Sequence, residues 1–342
     1  MSVRVISWIV VLLSAHNVRR KEELMLLSVI LLLASVVTAA DGVKIHYEVK
    51  GKGEPALVFI HCWSCDRTLW ENQVPVFAKN HRVVTIDLPG HGESGKGRTN
   101  WSIESYGDDI KRVVTKLGLK RVVLIGSSMS GPVALEAARR MPERVIAIVP
   151  VDTLQNVEQK MSAEQVEAMV TQIQSDYKGQ ITQYANQYLF APGTPAAVKE
   201  RVLSQAISMP PELGVPIIKA AWQYDPIPAL QTIKIPIRAI NSDLYPTNLE
   251  GNRKYAPQFD AVIMKGVGHY PMLEDPVRFN ELLAGVLRDL RGTMRPNRVK
   301  KSAGQVPGRK TDVHGKSSVF RKPAVAGGSL GRESQVTSNE EY

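Results

Sequence analysis

The chain has 342 residues, 44% of them hydrophobic and 22% charged, which suits one large globular domain with an insertion. Its formal charge of +10 is concentrated at the ends: residues 292–342 hold ten Lys/Arg against four Asp/Glu, and residues 1–24 hold four against two, which leaves only +2 between them. That balance leaves no basic core to bind nucleic acid.

Taken in order, the first element is MLLSVILLLASVVTAADG (Met25–Gly42), an apolar run closing on small residues. Val37 and Ala39 are placed as at a cleavage site, and Arg19–Lys21 supply positive charge upstream. The run is too short for a comfortable span of roughly 20 residues and reads as an export signal, with the mature protein starting near Ala40 or Asp41. The apolar stretch Val5–Leu13 ahead of it is unusual in a signal. It offers the alternative of an anchor, with weak membrane association through the N-terminus. Residues 1–40 are therefore assigned to a signal peptide or anchor, and the protein to an exported location.

GVKIHYEV (Gly42–Val49) alternates apolar and polar residues as a half-exposed strand does. PALVFIH (Pro55–His61) is a short buried strand, and RVVTIDLPGHGESG (Arg82–Gly95) is another that runs into a Gly/Pro turn. SIESYGDDIKRVVTKLG (Ser102–Gly118) is a helix capped by Ser102 and stopped by Gly118. Further strands are expected at RVVLI (Arg121–Ile125), RVIAIVPVD (Arg144–Asp152), PIRAINSD (Pro236–Asp243) and AVIMKGVGH (Ala261–His269). Residues 153–233 have no strand of comparable strength. Ser162 and Gln165 form a capping box, Pro195 suits the start of another helix, and the whole reads as a helical lid. Strands alternating with helices predict an α/β fold, a mostly parallel sheet with helices on both faces. The core then comprises residues 41–152 and 234–291. The tail from 292 to 342 is basic, has few apolar residues and is expected to be disordered.

The stretch VVLIGSSMSGPVALEAA (Val122–Ala138) packs a strand, a tight turn and a helix into seventeen residues. Such a turn needs small residues two before and two after its apex. Ser127 would have Ile125 and Met129 there, and Ser130 would have Ser128 and Pro132. Only Ser128, between Gly126 and Ser130, meets the requirement, although a serine here also suits a simple helix cap. A serine nucleophile needs a base, and the base needs an orienting acid. Of the seven histidines, His269 alone stands in a Gly-x-Gly-His setting directly after a predicted strand. Asp243, in the loop after the preceding strand, is the expected acid. Asp152, at the end of the strand before the lid, is the alternative.

VFIHCWSCDRTLWENQVP, RVVTIDLPGHGESG, GSSMSG, INSDLYPTN and GVGHYPMLEDPVRFNELL together resemble the α/β-hydrolase superfamily, in particular its capped esterases and lactonases, from about Asp41 to Arg291. The order Ser128, Asp243, His269 is the order that family uses. The resemblance implies hydrolysis of an ester or lactone through an acyl-enzyme, with a small-molecule acyl substrate, no cofactor, no metal and no obligate protein partner. It places the oxyanion hole at the backbone N–H groups of Trp63 and Met129. C–C bond hydrolysis on the same residues, and ligand binding without turnover, are the rival readings. Cys62 stands where the family usually has glycine. Because Cys62 and Cys65 flank Trp63, the active form is expected to carry two free thiols, a disulfide being able to pull the Trp63 N–H off target.

Overall fold

The computed structural model describes residues 35–293, with side chains as far as 290. The leader or anchor before residue 35 and the basic tail lie outside the described residues.

Eight strands form one sheet in the order β1-β2-β4-β3-β5-β6-β7-β8. They are β1 (Val36–Thr38), β2 (Lys44–Lys50), β3 (Ala56–Ile60), β4 (Val83–Ile86), β5 (Val122–Ser127), β6 (Val145–Val151), β7 (Ile237–Ser242) and β8 (Phe259–Met264). β1 pairs with β2 and β2 with β4 in antiparallel fashion, and all other neighbours are parallel. β3, β4 and β5 are branched, apolar and wholly buried, as central strands covered on both faces must be. β2 buries only Ile45 and Tyr47 in alternation, as its sequence predicts.

Two crossover helices set the height of the central strands. α2 (Ile103–Lys116) follows a four-residue helical turn, α1 (Val74–Phe77), and α3 (Ser130–Arg140) follows β5. The Ser102 hydroxyl caps α2, and Gly118 beyond its end takes φ +62° to stop it. α2 and α3 approach so closely at Gly107 that a Cβ there would crowd Glu136. Arg98, almost wholly buried, pairs with Asp109 of α2 at 2.8 Å and with Asp41 at 2.6 Å, and so ties the first hairpin to the helix layer. Burial raises Asp109 to about 6 even though the Arg98 guanidinium opposes the shift.

A strand stands where the sequence reads as the close of a leader: Val36–Thr38 is an edge strand in register with Lys44–His46, and the buried Ala39 donates its N–H to the Val43 carbonyl at 2.8 Å. A boundary at residue 40 would cut through the β1–β2 turn. The β-branched Val-Val-Thr run serves equally well as the close of an apolar leader or as a strand, so the sequence does not separate the two.

Between β6 and β7 stand the insertion helices α4 (Ala163–Ser175), α5 (Tyr177–Tyr188), α6 (Ala196–Ser208), α7 (Pro211–Gln223) and α8 (Ile227–Thr232). The capping box on Ser162 and Gln165 is formed, and Pro195 sits just outside α6 as its N-cap. These helices bury a small core of their own around Val166, Val170, Ile173, Tyr177, Ile181 and Val215. After β7 come α9 (Leu249–Tyr255), then β8, α10 (Pro271–Glu274) and α11 (Pro276–Thr293).

Candidate active site

Ser128 follows directly on β5 and takes φ +54°, the left-handed conformation that a strand-to-helix elbow demands. Its N–H donates to the Val151 carbonyl at 3.0 Å, and its carbonyl accepts from Gly131 at 2.9 Å. Gly126 is dictated by backbone, because a Cβ there would overlap the Ser130 carbonyl oxygen. Ser130 is accommodated where a glycine is usual because its buried hydroxyl donates to the His61 carbonyl. The third serine, Ser127, is buried and its hydroxyl has no partner among the described residues.

Parallel pairing sets Ser127 opposite Val151, so the next residues, Ser128 and Asp152, leave the sheet at the same height. Asp152 also takes a left-handed φ, +46°. Its Oδ2 lies 2.6 Å from His269 Nδ1, and its Oδ1 accepts the Ser242 N–H at 2.7 Å. Burial works against ionisation of Asp152, but the hydrogen bonds from His269 and Ser242 and the attraction of the His269 ring outweigh it and hold the carboxyl below its ordinary value. An ionised carboxylate only accepts, so Nδ1 carries a proton, and in the neutral ring Nε2 is the nitrogen with the free lone pair.

The acid expected at Asp243 is not on the histidine. The exposed Asp243 carboxylate accepts the Gly266 N–H at 2.7 Å and braces the turn that leads into His269. The reason lies in strand order: β6 neighbours β5, whereas β7 is one strand further out and the chain after it turns away to the β8 loop. The signal in the sequence was the same in both places, an aspartate closing a buried strand. Further supports of the His269 loop include the Leu189 carbonyl, which accepts the His269 N–H at 2.8 Å, and Glu274, which accepts from Gly268 at 2.9 Å.

His61, Cys62 and Trp63 form the loop after β3. Leu88 N–H donates to His61 Nε2 at 2.9 Å, so Nδ1 holds the proton and donates to the Cys62 carbonyl at 2.7 Å. Burial lowers the His61 pKa, more than the nearby Asp87 restores it, and keeps the ring neutral for this bridging role. Trp63 donates its indole N–H to the Gly214 carbonyl of α7 at 2.9 Å. The backbone N–H groups of Trp63 and Met129 have no acceptor among the described residues, and both residues line one cavity with Ser128. The expectation of free thiols is corrected: Cys62 and Cys65 are joined in a disulfide, their Cα atoms 5.4 Å apart. Ser64 at φ +58° and a 3.3 Å hydrogen bond from Cys65 N–H to the Cys62 carbonyl fold the segment into a turn tight enough to bring the sulfurs together.

The cavity holds about 580 Å³. Ser128, Asp152 and His269 lie on its floor, and Met169, Tyr184, Tyr188 and Trp222 of the insertion form its opposite wall. Burial pushes the Tyr184 phenol up to about 12, so it stays protonated at neutral pH. No cluster of His, Cys, Asp and Glu suited to a metal occurs among the described residues. A serine on an elbow, an imidazole oriented by a buried carboxylate and two unpaired N–H groups make an arrangement able to carry out nucleophilic acyl transfer.

A family model described as the alpha/beta hydrolase fold matches residues 55–224. The chain is an α/β-hydrolase by fold. A thermophilic esterase from Thermogutta terrifontis superposes on this α/β-hydrolase with a TM-score of 0.66 at 25% identity, over 75% of this chain and 98% of that one. Est816, described as an N-acyl homoserine lactone degrading enzyme, gives 0.62 at 28% identity over 72% of this chain and 98% of its own. Among curated sequences, the dihydrolipoyllysine-residue acetyltransferase component of the acetoin cleaving system of Cupriavidus necator is 31% identical over 108 residues, 32% of this chain and 29% of that protein. The chain therefore spans under a third of the length of that relative.

Proposed function

We propose that this α/β-hydrolase is a serine hydrolase that cleaves a carboxylic ester or lactone through an acyl-enzyme. The observation that carries the reading is the 2.6 Å contact between His269 Nδ1 and Asp152 in the cavity that also holds Ser128. In this mechanism His269 Nε2 takes the Ser128 hydroxyl proton as Oγ attacks the substrate carbonyl carbon. The carbonyl oxygen becomes an oxyanion held by the N–H groups of Trp63 and Met129. Asp152 stabilises the imidazolium, which then gives its proton to the departing alkoxide, leaving the acyl group on Ser128. Water, deprotonated by the same imidazole, attacks the acyl-enzyme, and the proton returns to Ser128 as the acid leaves. The likeness to an esterase and to a lactone-degrading enzyme over nearly the whole of those chains supports the ester or lactone class. The test is steady turnover of p-nitrophenyl acetate over many cycles. The Ser128→Ala variant is expected to retain only the residual rate that binding and the oxyanion donors provide. Undiminished turnover in that variant would overturn the reading.

A further inference from the structure

The chain immediately after Asp152 is built with unusual rigidity. Leu154 is a second left-handed residue, at φ +56°, only two positions beyond Asp152 at +46°. A β-unbranched but bulky side chain adopts that conformation only where its surroundings enforce it. Here they do. Leu154 is buried, its carbonyl accepts from Asn252 Nδ2 at 2.7 Å, and Val157 N–H donates to Asn252 Oδ1 at 3.0 Å. Asn252 itself is wholly buried. Thr153 N–H donates to Asn241 at 3.2 Å, and the Gln155 carbonyl accepts from Asn248 N–H at 2.7 Å. Four backbone groups of this segment are thus held by the protein itself, and Thr153 and Gln155 line the cavity that holds Ser128.

Those neighbours belong to two chambers at once. Beside the 580 Å³ cavity lies a second of about 560 Å³, and Thr153, Gln155, Gln159 and Trp222 line both. The side-chain amides of Gln155 and Gln159 and the hydroxyl of Thr153 have no hydrogen-bond partner among the described residues. The outer chamber mixes apolar residues such as Leu154, Val157 and Pro226 with Asn156, Thr247 and Asn248, whose side chains are hydrogen-bonded within the protein, so the unpaired polar groups it shares with the inner one are those of Thr153, Gln155 and Gln159. Charge is present but already spent within the protein. Tyrosines aside, the ionisable residues on the two linings are Lys160 and Asp225, paired with each other at 2.6 Å, and Asp152 and His269, likewise paired.

We propose that the outer chamber is a subsite for an uncharged, hydrogen-bonding part of the substrate, an amide- or hydroxyl-bearing group read by Gln155 and Gln159, while the apolar remainder lies against the inner wall. The inference rests on the hydrolase reading above and deepens it. A carboxylate or ammonium group entering here would lose its hydration and meet no free opposite charge. A plain alkyl group would leave the glutamine amides to be desolvated without a partner, which is how a polar site rejects an apolar analogue. An amide presents both a donor and an acceptor, matching the donor and acceptor of each glutamine side chain.

The experiment uses two matched pairs of esters, one with an amide or an isosteric methylene unit in the acyl part, the other with the same exchange in the alcohol part. The wild type is expected to show a higher kcat/KM for the amide member of one pair. Gln155→Met, which keeps the side-chain length and leaves the Gln155 backbone bond in place, is expected to lower that amide-to-methylene ratio by roughly tenfold, the range of one hydrogen bond. The corresponding ketones, which cannot be hydrolysed, are titrated in parallel by isothermal calorimetry. Amide-selective ketone binding that Gln155→Met abolishes, without ester turnover, would uphold the subsite and overturn the hydrolase reading. Ester turnover with the same ratio in wild type and Gln155→Met, for both pairs, would overturn the subsite and leave the hydrolase reading standing.

Discussion

His91 shows what a single buried group contributes to the pH response. It is 3% exposed, its ring lies 5.0 Å from that of His61, and its Nε2 has no partner among the described residues. Burial, reinforced by the neighbouring His61, lowers its pKa to about 3. In the unfolded chain the imidazole takes up a proton near 6.5, so between about 6.5 and 3 the unfolded state holds more protons and folding stability falls as the pH falls. His61, also lowered by burial, acts in the same direction. At pH 5 the His91 contribution amounts to about 2 kcal/mol relative to neutral pH. Thermal melts at pH 7 and pH 5 are expected to show a clear loss for the wild type and a smaller loss for His91→Gln; equal losses would contradict the assignment. Residue-level features of this kind were only partly legible. The elbow at Ser128 and the loop that carries His269 were readable as backbone features, because a tight turn constrains the residues around it and a Gly-x-Gly-His loop stands out. Asp152 and Asp243 both close a buried strand, and which one reaches the imidazole depends on strand order and register, which a sequence does not display.

At the scale of elements, the loop after β3 is the junction between the sheet and the insertion. From below, His61 and Ser130 hold its carbonyls. From above, the Trp63 indole is hydrogen-bonded to α7 at Gly214, where a Cβ would crowd the Tyr177 hydroxyl. Within it, the disulfide closes the Cys62–Cys65 turn. A staple at that point restricts the backbone that carries the Trp63 N–H, and an oxyanion donor acts only when it is held in place. The Cys62→Ala/Cys65→Ala variant is accordingly expected to turn over esters more slowly, by less than the 10²–10³ that complete loss of one donor typically costs. Rates measured beside a thiol count decide it, and full activity in the variant would refute it. The sequence showed that Cys62 occupies this loop. It did not show the left-handed Ser64 that folds the two cysteines together, because nothing in the composition of Trp63-Ser64 demands it.

At the scale of the whole molecule, the sheet does the assembling. Residues 128, 152 and 269 are distant in sequence and come to one cavity because β5, β6 and β8 all end at the same edge of the sheet, where open α/β sheets place their ligands. Hydrophobic runs, turn glycines and helix caps made this architecture legible, down to the insertion and its capping box. The first strand was not, since Val36–Thr38 merges with an apolar run. The proposed relay of Ser128, His269 and Asp152 is open to one decisive comparison: steady-state ester turnover by Asp152→Asn beside Asp243→Asn. The account predicts a fall of up to about 10⁴ in kcat for Asp152→Asn, from loss of the imidazole's orientation and charge partner. It predicts a far smaller change for Asp243→Asn, which touches only the Gly266 turn. A crippled Asp243→Asn beside a nearly normal Asp152→Asn would contradict it.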